Sequence, residues 1–119
     1  AGGFVREVQG VAKLNGAITV ARAIGTYELK SVGGASCTGP ALSPEPEITV
    51  YQLTTDDCFM LLACDGLWDV LDNGRAAQLV WGWLTEGMAL DRAATRLVTA
   101  ALCEPSQNDN VTSVVVSLQ

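Results

Sequence analysis

Hydrophobic residues along this sequence form runs and spacings that predict four strands, then two helices and a final strand. The longest apolar run, residues 58–64 (CFMLLAC), has the length of one strand and no polar alternation, which predicts a strand buried on both faces. Asp65 and Gly66 follow it, so that a carboxylate lies where the strand ends. Residues 58–71 are therefore the segment around which we expect the rest of the chain to be arranged.

Three further strands are predicted upstream of this run. Asn15-Gly16 is a typical hairpin-turn dipeptide and would join strands over residues 11–14 and 17–24. Arg22, on the bulky face of the second of these, is predicted to face the surface or to form a structural ion pair rather than to contact a substrate. Residues 48–53 have the composition of another strand, whereas residues 25–46 are rich in Gly, Ser and Pro and predict a long connection that carries function or contains a short element.

Apolar residues recur at helical spacing in two segments downstream of the run. The first helix is predicted to begin after a cap at Asp72 or Asn73 and to end at Gly87. The second is predicted to begin with Asp91 as its N-cap and to end at Pro105. Because strands cluster and helices cluster, the pattern predicts an α+β layered domain rather than alternating βαβ units.

Two aspartates at the ends of predicted strands are the candidate metal ligands. Asp65 ends the buried strand, and Asp109 precedes a β-branched strand over residues 111–118. If these strands are antiparallel neighbours, both carboxylates lie at one edge of the sheet, where Mg²⁺ or Mn²⁺ is typically bound. Two such ions, about 3.5–4 Å apart, activate a water against a phosphate. On pattern alone, each aspartate fits an ordinary turn better than a metal site.

Composition and charge narrow the classes of partner and of catalysis. The 119 residues are 49% hydrophobic and 17% charged, which is typical of one globular domain or part of one. The net charge of -6 argues against nucleic acid and anionic membranes as partners. The absence of histidine excludes Ser-His-Asp and Cys-His catalysis, so that any metal chemistry must use carboxylates. No stretch resembles a signal peptide or a membrane span.

The four cysteines form no C-x-x-C pair, and we predict that all of them are reduced thiols of an intracellular protein, cytoplasmic or nuclear. Two of them lie in the apolar run, where a free cysteine behaves as a small hydrophobic residue. The cysteines are Cys37, Cys58, Cys64 and Cys103. A disulfide framework is therefore not expected to contribute to the fold.

Several segments, in the same order, resemble one enzyme family. Residues 62–71 (LACDGLWDVL) closely resemble the ASDGLWDVL signature of the metal-dependent serine/threonine protein phosphatases of type 2C. Residues 2–5 (GGFV), 14–25 (LNGAITVARAIG) and 109–112 (DNVT) resemble further motifs of that family, and residues 43–48 (SPEPEI) resemble the segment that leads into its next strand. The resemblance covers essentially the whole chain, and an ordered set of motifs is highly specific.

The resemblance implies a fold, an activity and a metal centre. Residues 1–119 would form the C-terminal portion of a type 2C catalytic domain, as a partial four-layer α-β-β-α sandwich. Asp65 and Asp109 match family positions that bind one ion of a centre with two Mg²⁺ or Mn²⁺ ions, with Gly66 and Asn110 as supporting residues. The implied reaction is hydrolysis of phosphoserine and phosphothreonine in phosphoprotein substrates by a metal-activated water. Beyond the metal ligands, no catalytic residue is predicted in this chain.

The sequence also departs from the family pattern. Thr26 follows Gly25 where the family has an aspartate near the metal centre, and Ala21 replaces a serine. The bridging metal aspartate, the proposed acid histidine and the phosphate-binding arginine of the family's upstream half have no counterpart. We therefore expect the N-terminal half of the domain to be a partner of this chain and the chain alone to be inactive.

Three hypotheses about function follow from these observations. The first is that the chain is an incomplete part of an active phosphatase. The second is a catalytically inactive, phosphatase-like binding or regulatory module, which the replacement at Thr26 favours. The third is a structural domain in which both aspartates only form turns. The upstream sequence of the whole protein would separate the first two, because an intact bridging-aspartate motif there supports an enzyme.

Overall fold

The computed structural model describes residues 3–30 and 41–119. The chain divides into two compact units, Ala1–Tyr51 and Gln52–Gln119. Antiparallel strands occur in both units, and the long helices lie in the second. The predicted α+β class is therefore confirmed.

The first unit contains a β-hairpin formed by β1 (Val5–Val8) and β2 (Val11–Leu14), which pair antiparallel. Gln9 and Gly10 connect the strands with φ values of 54° and 80°. Positive φ at both central residues is typical of the type I′ turn, whose backbone twist matches that of the two flanking strands. The strand at β1 was not predicted from the sequence, because it is short and exposed on most of its residues.

The predicted hairpin around Asn15-Gly16 is wrong in its second strand. Both residues have positive φ, 52° and 71°, and turn the chain after β2 as the dipeptide predicts. Two isolated bridges follow, an antiparallel one between Leu14 and Ile18 and a parallel one between Arg22 and Ser43, and residues 17–24 form no strand. The chain thus reverses direction, but the segment after the turn makes too few ladder bonds to continue as a strand.

The strand predicted over residues 48–53 is also wrong. This segment is fully within the described part of the chain and belongs to no ladder, and Ile48 and Val50 are largely exposed. High β-propensity does not form a strand unless a neighbouring strand takes up its backbone hydrogen bonds. The predicted connection over residues 25–46 does contain a short helix, α1 (Tyr27–Lys30). Residues 31–40 of the connection lie outside the described part of the chain.

The second unit is built on a sheet of β3 (Phe59–Ala63) and β4 (Ser113–Ser117). The strands pair antiparallel in a register that places Phe59 opposite Ser117 and Ala63 opposite Ser113. Both strands were predicted, and the structure confirms them. Their antiparallel pairing, which the sequence analysis took only as a condition, is present. The register brings the residue after β3 and the residue before β4 to the same edge of the sheet.

Three helices follow β3: α2 (Asp65–Trp68), α3 (Asn73–Thr85) and α4 (Leu90–Leu102). The single turn of α2 was not predicted, because Asp-Gly is usually a turn dipeptide. Its indole anchors it to the sheet, since Trp68 Nε1 donates a 3.0 Å hydrogen bond to the carbonyl of Ala63.

The ends of α3 follow the predicted capping chemistry. The Asp72 side chain accepts a 2.9 Å hydrogen bond from the backbone N–H of Arg75, which makes it the N-cap. At the other end Gly87 has φ 85°, and Met88 N–H donates to the Trp83 carbonyl. Together with the Gly87 to Leu84 bond, this is a Schellman motif.

The predicted cap of α4 is wrong. Ala89 occupies the N-cap position, and Asp91 lies one residue inside the helix, in its first turn. A carboxylate in the first turn interacts favourably with the helix dipole without capping a backbone N–H. The N-cap predicted from the sequence, Asp91, is therefore two residues C-terminal to the observed N-cap, Ala89.

The core of the second unit lies between one face of the sheet and the helices. The apolar faces predicted for α3 and α4 supply most of it. Its fully buried or nearly buried residues are Leu67, Leu71, Ala76, Val80, Leu97, Ala101 and Val115. Phe59, Leu61 and Ala63 pack against this core from the inner face of β3.

The outer face of the β3–β4 sheet is apolar but open to solvent. Met60, Leu62 and Val114 are 45%, 47% and 50% exposed. The prediction that β3 is buried on both faces is therefore wrong for this structure, because helices cover only one side of the sheet. No helix among the described residues is long and apolar enough to cross a membrane.

Candidate metal site

The two predicted metal ligands lie at one edge of the β3–β4 sheet. Asp65 is the first residue of α2, directly after β3, and Asp109 lies in the loop over residues 103–112 that joins α4 to β4. The Cβ atom of Asp109 is 3.5 Å from the position that a Cβ atom on Gly66 would occupy. The structure thus brings together two residues that are 44 positions apart in the sequence, as 109 − 65 = 44.

Gly66 is the residue that allows this approach. A Cβ atom at Gly66 would overlap the backbone carbonyl oxygen of Asn110, and Gly66 is buried. The need for glycine is one of space, because the 109–110 loop passes directly over the first turn of α2. Gly66 and Asn110 are therefore linked by packing: because Gly66 has no side chain, the Asn110 backbone can occupy the adjacent space.

Both carboxylates are exposed and only partly engaged. Asp65 Oδ1 accepts a 3.0 Å hydrogen bond from the Gly66 N–H, and Asp109 Oδ1 accepts a 2.7 Å hydrogen bond from the Asn110 N–H. Within the described residues, Oδ2 of each aspartate has no hydrogen-bond partner. Each carboxylate therefore presents one oxygen atom that a cation can bind.

The oxygen donors suit a hard divalent cation but form only part of a coordination shell. Mg²⁺ takes one or two carboxylates and several waters, which fits Asp65 and Asp109. Residues 3–30 and 41–119 contain no group of three or more Asp, Glu, Cys or His side chains arranged to hold a metal. The assignment of both aspartates as metal ligands stays a prediction.

Cys64 has a polar role that the sequence did not indicate. Its thiol donates a 3.3 Å hydrogen bond to the Asn110 carbonyl and accepts a 3.2 Å hydrogen bond from the Thr112 N–H. Its own N–H donates to the Thr112 carbonyl at 3.2 Å. The cysteine therefore holds the end of β3 against the loop that carries Asp109. Cys58, Cys64 and Cys103 are free thiols, as predicted, and Cys37 lies outside the described residues.

Gln107 is a second residue that sequence reasoning missed. Its side-chain Nε2 donates to the Gly66 carbonyl at 2.5 Å, and its Oε1 accepts from the Asp109 N–H at 2.6 Å. One neutral amide thus joins the turn after Asp65 to the backbone of Asp109. No motif pointed to this residue, and its position two residues before Asp109 was the only signal available.

Arg22, in the first unit, contacts the backbone of a distant segment. Its guanidinium donates a 3.0 Å hydrogen bond from Nη1 to the carbonyl of Glu45. Arg22 is exposed, which agrees with the first of the two predicted alternatives, and this contact is with a backbone carbonyl rather than the carboxylate of an ion pair. Thr26 has φ 51°, a left-handed conformation that is unfavourable for a β-branched residue.

Comparisons with known proteins agree with the sequence motifs. The family model described as protein phosphatase 2C matches residues 1–111. A probable protein phosphatase 2C 27 of Arabidopsis thaliana is 40% identical over 103 residues, which are 87% of this chain and 26% of the relative. Human protein phosphatase 1B is 35% identical over 106 residues, which are 89% of this chain and 22% of the relative.

Solved structures give the same result for the fold. A serine-threonine phosphatase 2C from Toxoplasma gondii superposes with a TM-score of 0.82 at 25% identity, over 99% of this chain and 40% of that structure. A sex determining protein of C. elegans gives a TM-score of 0.82 at 28% identity, over 100% of this chain and 27% of that structure. The chain spans about a quarter of the length of these curated relatives. By its family match, its motifs and its fold, this chain belongs to the protein phosphatase 2C family.

Proposed function

We propose that this chain forms part of a metal-dependent protein serine/threonine phosphatase and contributes Asp65 and Asp109 to one ion of its metal centre. The observation that carries the proposal is the meeting of these carboxylates at one sheet edge, each within a segment that matches a type 2C motif. Carboxylate oxygens at a rigid strand end are the donors that Mg²⁺ and Mn²⁺ prefer.

The residues of this chain would bind and orient rather than transfer protons. Asp65 and Asp109 would each offer Oδ2, while the neighbouring backbone N–H groups hold Oδ1 and so fix the direction of each carboxylate. A bound Mg²⁺ or Mn²⁺ would supply Lewis acidity and the activation of water for attack on phosphorus. Exact placement of the two carboxylates would therefore govern how strongly the ion is held.

The proposed partners are a phosphoprotein substrate and the N-terminal half of the domain. Relatives are about four times as long as this chain, and the outer face of the β3–β4 sheet leaves Met60, Leu62 and Val114 about half exposed. An apolar sheet face of this kind is typically covered by a second layer. The net charge of -6 supports neither nucleic acid nor an anionic membrane as partner. We propose an intracellular location, cytoplasmic or nuclear.

The test compares the full-length protein with the 119-residue chain. We expect the full-length protein to hydrolyse a phosphothreonine peptide in the presence of Mn²⁺ and to lose this activity in excess chelator. We expect the chain alone to show little or no turnover, because the family resemblance assigns it two metal-binding aspartates and no phosphate-binding arginine. Robust Mn²⁺-dependent turnover by the chain alone would contradict the proposal that it is incomplete.

A catalytically inactive binding or regulatory module is the second candidate. It is favoured by Thr26, which stands in a strained left-handed conformation where the family has an aspartate. If this candidate is correct, the full-length protein binds the phosphopeptide in a pull-down or by calorimetry but does not hydrolyse it at saturating Mn²⁺ or Mg²⁺. Turnover in the same assay decides for the enzyme.

A further inference from the structure

We propose that Gln107 is a positioning residue that fixes the separation and orientation of Asp65 and Asp109. The proposal deepens the proposed function and rests on it for the link to metal binding. Its structural basis is the side-chain amide of Gln107, which is hydrogen-bonded on one side to the Gly66 carbonyl and on the other to the Asp109 N–H. No other described side chain bonds to both of the backbone segments that carry the two aspartates.

The two bonds act on the backbone next to each carboxylate. The Gly66 carbonyl belongs to the residue directly after Asp65, and the bonded N–H is that of Asp109 itself. Their lengths are 2.5 Å and 2.6 Å, so that the amide spans the gap without a bridging water. A change in the distance between these two backbone segments would therefore stretch one of these bonds.

A neutral amide is suited to make both bonds at this position. Nε2 donates and Oε1 accepts, whereas a carboxylate would place an acceptor against the Gly66 carbonyl and a thioether would make neither bond. A neutral group also adds no charge beside the carboxylates. Gln107 therefore holds the two aspartates without competing with a cation for them.

The amide is itself held on the helical layer. The backbone N–H of Gln107 donates to the Glu104 carbonyl at 3.0 Å, and Glu104 forms a 2.8 Å ion pair with Arg75 of α3. The Gln107 side chain is partly buried. Because its own backbone is fixed in this way, Gln107 transmits the positions of α3 and α4 to the candidate site.

The experiment uses Gln107→Met in the full-length protein, because Met is similar in size and makes neither bond. Gln119→Met is the matched control, since Gln119 Nε2 donates to the Thr55 carbonyl at 3.1 Å, at the opposite end of the same two strands. Three quantities are measured: Mn²⁺ affinity by electron paramagnetic resonance titration, exchange of the Asp109 amide proton in chelator, and the melting temperature in chelator.

We expect Gln107→Met to weaken Mn²⁺ binding by about 10-fold or more, the range seen when a group that orients a metal ligand is removed. Exchange of the Asp109 amide proton should accelerate, because its acceptor is lost. Gln119→Met should leave both quantities unchanged. Gln107→Asn, whose shorter amide reaches only one of the two partners, should give an intermediate affinity; it also serves if Gln107→Met does not fold.

The outcomes separate the inference from the function on which it rests. If the wild type binds Mn²⁺ and Gln107→Met binds it equally well, Gln107 is not a positioning residue. If the wild type binds no Mn²⁺, the proposed function fails, and the inference is then tested by amide exchange alone. In that case, unchanged exchange of the Asp109 amide proton in Gln107→Met overturns the inference. A fall in melting temperature with unchanged affinity would show a purely structural role and would overturn it as well.

Discussion

The two ends of the β3–β4 sheet are closed by the same kinds of side chain, yet only the site end brings together carboxylates from two distant segments of the chain. The carboxylates of the far end, Asp56 and Asp57, are neighbours in one turn. At the site end, Cys64 and Gln107 bond to the loop before β4. At the far end, Gln119 Nε2 donates to the Thr55 carbonyl, and the Cys58 thiol donates to the Asp56 carbonyl at 3.4 Å. A thiol and an amide therefore tether both ends.

The ends differ in what their carboxylates bind. Asp57 Oδ2 accepts hydrogen bonds from the N–H and the hydroxyl of Thr54, at 2.7 Å and 3.0 Å, so that this carboxylate stabilises its own turn. Asp65 and Asp109 each accept one neighbouring N–H through Oδ1. At the site end, neutral groups hold the loop, which leaves Oδ2 of each aspartate for a cation.

The largest expected effect is that of removing a candidate ligand. Asp65→Ala or Asp109→Ala in the full-length protein should reduce Mn²⁺-dependent turnover on the order of 10²-fold or more, because a metal ion supplies several kcal/mol of transition-state stabilisation. Steady-state assays with a phosphothreonine peptide measure the loss. Asp56→Ala at the far end is the control, since that residue takes part in the tether through its backbone carbonyl alone. Normal turnover in either site variant would refute the assignment of that aspartate.

A smaller effect is expected from filling the space at Gly66. Gly66→Ala places a Cβ atom against the Asn110 carbonyl, and overpacking of this kind costs about 1–3 kcal/mol of unfolding free energy. Gly82→Ala in α3 is the matched control, because a Cβ atom there meets nothing within 4 Å. The control should be neutral or stabilising by about 0.5–1 kcal/mol. Denaturant unfolding measures both; equal stability of the two variants would contradict the close approach at Gly66.

The smallest effect concerns the thiol tethers themselves. Cys64→Val removes two hydrogen bonds to the loop and should lower the unfolding free energy by about 1–2 kcal/mol, whereas Cys64→Ser keeps a donor and an acceptor and should lose less. Cys58→Val, whose bonds of 3.4 Å and 3.5 Å are longer, should cost less than Cys64→Val. If the two valine variants are equally stable, the ends of the sheet do not differ in the strength of their thiol tethers.

The sequence predicted the second unit better than the first, for a physical reason. In β3, α3 and α4 the apolar spacing reflects burial against one another, so that the pattern and the packing carry the same information. In the first unit the strands are short and exposed, and residues 48–53 have strand composition without a pairing partner. Propensity alone could not distinguish such a segment from a strand.

The sequence predicted the two carboxylates of the candidate site but not the side chains that hold their loops. Asp65 and Asp109 stand at the ends of two predicted strands, and both lie in motifs of the family. The antiparallel pairing of these strands was a condition of the argument rather than a prediction, and the structure shows it. Cys64 and Gln107 act through contacts with backbone groups that are 46 and 41 residues distant. A single sequence contains no periodicity that reports such contacts, so they appear only in three dimensions.

Tethers at both ends of β3 and β4 have a consequence for how the carboxylate spacing can vary. The pairing of Phe59 with Ser117 and of Ala63 with Ser113 can change only in steps of whole residues, and a one-residue slip would turn every side chain of one strand to the opposite face. Such a slip would break the bonds at both ends and expose the core together. The part of the Asp65–Asp109 spacing that depends on strand register can therefore change only in whole-residue steps, whereas motion of the loop that carries Asp109 can vary the spacing continuously.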